Sequence, residues 1–204
     1  MPGAKVFCFF FSKKKSFLLF FLLAACTSPE PTYYTLQPVP GTPQATRPLL
    51  IEVVRPGLAG YLDRSDIVLK QSDYHLALTS GARWGEPLAD MIGRVLAQDL
   101  RQRLPGSSVF SGDGAIAADP ELRVELNVDR FDANADGTVT ASGALAIERG
   151  RAHRPLTAHT ISFEAPASGA DPAALAGTLS RLLGQIADQA AADIARNAPA
   201  AAAE

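Results

Sequence analysis

The stretch EPLADMIGRVLAQDLRQRL, residues 86–104, decides the fold. Leu88, Met91, Ile92, Val95, Leu96, Leu100 and Leu104 recur at three- and four-residue steps and share one side of a helix. Pro87 suits a first helical position, and Pro105-Gly106 ends the run. Asp90 with Arg94, and Asp99 with Arg103, stand four apart on the other face, where they can pair. A helix with a single apolar stripe needs a partner surface. A second such helix runs from Asp171-Pro172 to about Asn197, with Leu175, Leu179, Leu182, Leu183, Ile186 and Ile194 as its stripe.

The segments between and before the helices supply that surface. Leu122, Val124, Leu126 and Val128 alternate with Glu121, Arg123, Glu125, Asn127 and Asp129, as in a strand with one face buried. Val139, Ala141, Leu145 and Ile147 mark the next strand, and Leu156–Glu164 a third, with a bulge expected near Thr160. Upstream, Leu49–Val54 reads as a buried strand, and Ile67–Gln71 with Tyr74–Leu78 as a hairpin. Pro56–Gly60 reads as a loop. Runs of strands kept apart from two one-sided helices predict an α+β two-layer domain, a mainly antiparallel sheet covered by two helices, and not a doubly wound one.

Ahead of the domain stands an export signal. Lys13-Lys14-Lys15, the apolar run Phe17–Leu23 and the small pair Ala24-Ala25 precede Cys26 in the order of a secretory leader. Leu23-Ala24-Ala25-Cys26 resembles the bacterial lipobox, so residues 1–25 are read as a signal peptide and Cys26 as the lipid attachment site. The apolar run is too short to span a bilayer, which takes about 20 residues. Two acyl chains already anchor a protein stably. Residues 26–47, with six prolines from Pro29 to Pro48 at their margin, read as an extended tether. Within it Tyr33–Leu36 has strand propensity and suits an edge strand. The domain is expected over 48–198, and 199–204 as a frayed tail.

Composition narrows the function. The leader holds four of the 19 basic residues and none of the 21 acidic ones, which leaves the mature chain at net charge −6. That balance disfavours nucleic acid as a partner. Cys8 leaves with the leader and Cys26 carries lipid, so no thiol remains for a disulfide, a metal or a nucleophile. Asp132–Gly137 begins like a calcium loop, but the twelfth position is Gly143 in place of a bidentate glutamate. His75, His153 and His159 form no helical i, i+4 pair, and no nucleophile elbow or phosphate-cradling loop is present. These patterns predict no catalytic residue, no metal site and no cofactor. Tyr61, Leu62 and Trp84 sit beside glycines and a proline. They read either as core plugs folded back over the sheet or as anchors of a partner or oligomer interface.

The order of these features resembles a family. Tyr33-Tyr34-Thr35-Leu36 follows the lipid tether. Tyr61-Leu62-Asp63-Arg64 then leads into a strand, and Trp84-Gly85-Glu86-Pro87-Leu88 opens a helix closed by Leu104-Pro105-Gly106. Together they are similar to the ABC-type transport auxiliary lipoproteins, of which the paraquat-inducible protein C group is one branch. The resemblance implies a non-enzymatic lipoprotein that serves a mammalian-cell-entry (MCE) transport system moving lipid between membranes. It implies docking of the periplasmic MCE-domain tunnel at the outer membrane, as a ring of identical subunits. Thr27 after the lipidated cysteine favours the outer membrane, since an aspartate there retains lipoproteins in the inner one. A hydrolase, or a structural, assembly or ligand-binding envelope lipoprotein unrelated to lipid transport, is the alternative expectation.

Overall fold

The computed structural model describes residues 30–112, 118–150, 154–167, 169 and 171–198. The leader, Cys26, Thr27, His153 and the tail 199–204 lie outside them. Among the described residues nine strands and two helices follow in the order β1 (Thr32–Tyr34), β2 (Leu50–Val53), β3 (Gly57–Leu58), β4 (Asp66–Ser72), β5 (His75–Trp84), α1 (Leu88–Arg103), β6 (Ser108–Ser111), β7 (Leu122–Asn134), β8 (Thr138–Arg149), β9 (Arg154–Pro166) and α2 (Pro172–Asn197). This is the expected α+β class, an open mixed sheet with two helices.

β7 is the central strand. One edge carries β8 and then β9 in long antiparallel ladders. The other edge is shared by β2, β3 and β4, all parallel to β7 and met in that order along its length. β6 extends the sheet beyond β2, and β5 then β1 extend it beyond β4. Alternation places Leu122, Val124, Leu126 and Val128 in the core, with Val139, Ala141, Leu145 and Ile147 beside them. The stripes of α1 and α2 cover this layer, and Met91, Ile92, Val95, Leu96 and Leu100 are fully enclosed.

Several expectations change. α1 begins at Leu88, with Pro87 in the capping position. The segment read as a loop at Pro56–Gly60 contributes β3, and Ser108–Ser111, which no pattern marked, forms β6. The bulge in β9 lies at Leu156, between the pairs Ile147↔Thr157 and Glu148↔Pro155, and not at Thr160. β7 carries a bulge of its own at Asp129, between Val128↔Gly143 and Arg130↔Ser142.

That second bulge explains Gly143. A Cβ there would lie 1.9 Å from the Asn127 carbonyl oxygen and 3.1 Å from the Val128 Cα. Both obstacles are backbone in the middle of the sheet, so neither can rotate away. Gly143→Ala is expected to destabilise by about 1–3 kcal/mol or more, read as a lower urea midpoint. An unchanged midpoint would mean that the strands do not approach as described.

Candidate functional site

The proline-rich segment is a strap and not a free tether. The compact unit begins at Pro31. β1 pairs in parallel with the end of β5, in the register Thr32↔Ala82 to Tyr34↔Trp84. Leu36 is fully buried, and its N–H donates to the Met91 Sδ at 3.2 Å. The Gln37 N–H donates to Ser180 Oγ on α2, and the Val39 N–H to Asp99 Oδ1 on α1 at 2.7 Å. Prolines leave few backbone donors to satisfy. The N–H groups of Leu36, Gln37 and Val39 are met by side chains of both helices, and that of Gln44 by the Arg103 carbonyl at 2.7 Å.

Arg103 fastens this strap. Its guanidinium is 1% exposed. It donates to the carbonyls of Val39 at 2.9 Å and Gly184 at 3.0 Å, and to Asp188 Oδ1 at 2.6 Å. Gly41 lies against it so closely that a Cβ would meet its Cζ at 2.2 Å. The Asp99–Arg103 pair, expected on the wet face of the helix, is therefore buried, at 3.8 Å. The strap and α2 close over the face that α1 alone leaves open.

Asp99 responds to that burial. Oδ1 accepts from Val39, while Oδ2 has no hydrogen-bond partner among the described residues. Burial pushes the carboxyl up to about 6, against the lowering by the Val39 N–H and by Arg103. The ordinary unfolded value is about 3.9. Asp99 therefore contributes stability that is full below about pH 4 and is lost as pH rises through about 6. Asp99→Asn keeps the acceptor for Val39. It is expected to gain stability over the parent on going from pH 4.5 to 7 in urea titrations. A constant difference between the two proteins would contradict the raised value.

The residues singled out as interface anchors are mostly core. Leu62 is 2% exposed and Trp84, at the end of β5, is 4% exposed. Neither offers a partner a surface, so the core-plug reading replaces the interface reading for both. Tyr61 is half-buried, and its hydroxyl donates to Asp132 Oδ2. Burial first, then the adjacent Asp132 carboxylate, raises the Tyr61 phenol well above its usual value. Asp132 also accepts from Arg130, which reaches Asn134 Oδ1 at 2.8 Å. The first aspartate of the calcium-like motif thus turns to a tyrosine and an arginine. Asp136 takes the Thr138 N–H, and Gly137 stands at φ +83° in the β7–β8 turn.

The remaining candidates are dispersed. His75 is exposed on β5, and His159 Nε2 lies 3.3 Å from the buried Asp193 of α2. Among the described residues no three His, Cys, Asp or Glu side chains gather as metal ligands, and no helix is long and apolar enough to cross a membrane. A groove of about 480 Å³ opens where β4, the β7–β8 turn and the start of α2 meet, lined by Leu69, Lys70, Ala133, Gly137 and Leu175 among others. Its titratable groups are already engaged. Lys70 pairs with Asp73 at 3.4 Å, and Asp171 caps α2 by accepting the Ala174 N–H at 2.6 Å. The groove offers contact surface and gathers no acid–base pair.

Two solved structures share this fold. An uncharacterized protein superposes with a TM-score of 0.66 at 21% identity, covering 81% of this chain and 99% of its own. A protein from Xanthomonas campestris, XCC0632, superposes with a TM-score of 0.65 at 18% identity, covering 78% and 92%. A search of curated proteins returns no match. The model of the ABC-type transport auxiliary lipoprotein component matches residues 34–191, from the strap through most of α2. The chain belongs to the ABC-type transport auxiliary lipoprotein family.

Proposed function

We propose that the protein is a non-enzymatic accessory lipoprotein of an MCE/ABC-type system that moves lipid between the two membranes. Acylated Cys26 holds it on the periplasmic face of the outer membrane, where a ring of identical subunits docks the MCE-domain tunnel. The observation that carries this reading is the family match across residues 34–191, a few residues behind a lipobox-like Leu23-Ala24-Ala25-Cys26. Crosslinking in cells is expected to capture an MCE-domain protein. Recovery of unrelated envelope proteins alone would overturn the docking role. The groove beside Lys70 favours a second reading, a ligand-binding envelope lipoprotein, which would show lipid or another ligand co-purifying with the protein and no MCE crosslink.

Cys26→Ala is expected to leave the domain folded and to release it from the membrane fraction, because it removes the acyl attachment and leaves the residues of the described core unchanged. Circular dichroism and fractionation together check this. An unfolded variant, or one still held in the membrane, would contradict it.

A further inference from the structure

Four large apolar side chains stand exposed among the described residues, and all four lie on or beside the outer strands β1 and β5. Tyr33 is on β1. Leu76 and Leu78 are on β5, 44% and 49% exposed, and Tyr74, in the β4–β5 turn, is fully exposed. Cross-strand pairing sets Leu78 opposite Val68 and Leu76 opposite Lys70. β1 covers only Ala82–Trp84, so among the described residues the edge of β5 from His75 to Gly81 has no strand beside it. Scattered apolar side chains are ordinary on a protein surface. A cluster at one hairpin end calls for an occupant.

Chain direction identifies that occupant. β1 is parallel to β5, so its first residue, Thr32, faces the β4–β5 turn. The chain before Thr32 therefore leaves toward the turn. Thr32 follows Cys26 by six residue steps, which at full extension span about 20–22 Å. Eight residues separate Ala82, the partner of Thr32, from Tyr74. The stretch Leu78 to Arg83 faces only Val68 to Asp66 of β4, so the partner strand from Asp66 to Ser72 sets the span, about 20 Å. With β5 standing along the bilayer normal, Cys26 at full extension comes level with the turn and reaches no more than about 2 Å past it. A bilayer that holds its acyl chains then meets Tyr74.

We propose that the β4–β5 turn, through Tyr74, Leu76 and Leu78, is a second membrane contact that enters the lipid headgroup region beside the acyl anchor. The inference rests on the anchoring of Cys26 proposed above. Tyrosine suits that depth, with an apolar ring and a hydroxyl that stays wet. Lys70 is matched by Asp73, so the contact is apolar and persists in high salt.

The test uses the full acylated protein in phosphatidylethanolamine/phosphatidylglycerol vesicles. The fluorophore NBD is placed on Tyr74→Cys and, as a control, on Gln102→Cys on the exposed side of α1. The Tyr74 label is expected to emit to the blue and to be quenched several-fold more by nitroxide lipids than the Gln102 label. A Leu76→Ser, Leu78→Ser background is expected to reduce that quenching. Equal quenching at both positions would overturn the proposal. A blue shift without nitroxide quenching would place the turn against another copy of the chain and overturn it too. If mass spectrometry finds Cys26 without acyl chains, the anchoring and this contact fall together. If acylation is present and Tyr74 stays wet, only this contact falls.

Discussion

Arg103→Ala is expected to cost about 3–5 kcal/mol, the cost of breaking a buried pair by removing one partner. The loss has several parts, among them the 2.6 Å link to Asp188. Asp99 stays buried without its cation, the carbonyls of Val39 and Gly184 lose their donor, and the strap loses the side chain that Gly41 packs on. Urea denaturation at pH 7 measures the total. The deficit should shrink at pH 5, because Asp99, already raised to about 6, escapes the penalty by taking up a proton. A double variant, Asp99→Asn with Arg103→Met, should recover part of the loss, since it removes both charges. A parent-like midpoint for Arg103→Ala would mean that the strap does not depend on this residue.

Leu96→Ala should cost about 2–5 kcal/mol. Leu96 is fully enclosed on α1, in the core shared by sheet, helices and strap. Truncation there leaves a void that neighbours on several sides must collapse into, and collapse is rarely complete. The measurement is again the urea midpoint of the membrane-released protein. A change under about 0.5 kcal/mol, as at a surface site, would place the residue outside the core.

What the sequence disclosed, and what it hid, has a common physical logic. The apolar stripes of α1 and α2 and the alternation of β7 and β8 were legible because their periods differ and each is repeated many times. β6 was hidden because Ser108-Val109-Phe110-Ser111 has two apolar residues, too few to show any period. β3 was hidden inside a Pro-Gly turn signal. The strap was read only in part, because prolines are frequent in it. Tyr33–Leu36 was legible as an edge strand, and β1 forms over Thr32–Tyr34; beyond it Leu36 and Val39 were the available signal, and Leu36 is fully buried.

The candidate site was less legible than the fold. Asp99 and Arg103 at i, i+4 look the same on a wet face and on a buried one. Only α2 and the strap, distant in sequence, decide which it is. Trp84 and Leu62 could be read as core plugs or as exposed anchors because their neighbours are glycine and proline, and both are buried in the core. The exposed leucines of β5 gave no warning, since Leu76 and Leu78 alternate like any strand. Their significance comes from the parallel pairing of β1, which turns the chain start toward them.

That pairing also decides how the molecule answers force. A pull on the N-terminus draws β1 along its own axis, lengthwise past β5. The ladder is then loaded in shear, with its hydrogen bonds strained together. Behind the ladder, the Val39–Asp99 and Val39–Arg103 links take up the remaining load. A domain held by its N-terminus while something tugs at it would keep its sheet whole until the three-residue β1–β5 ladder gave way.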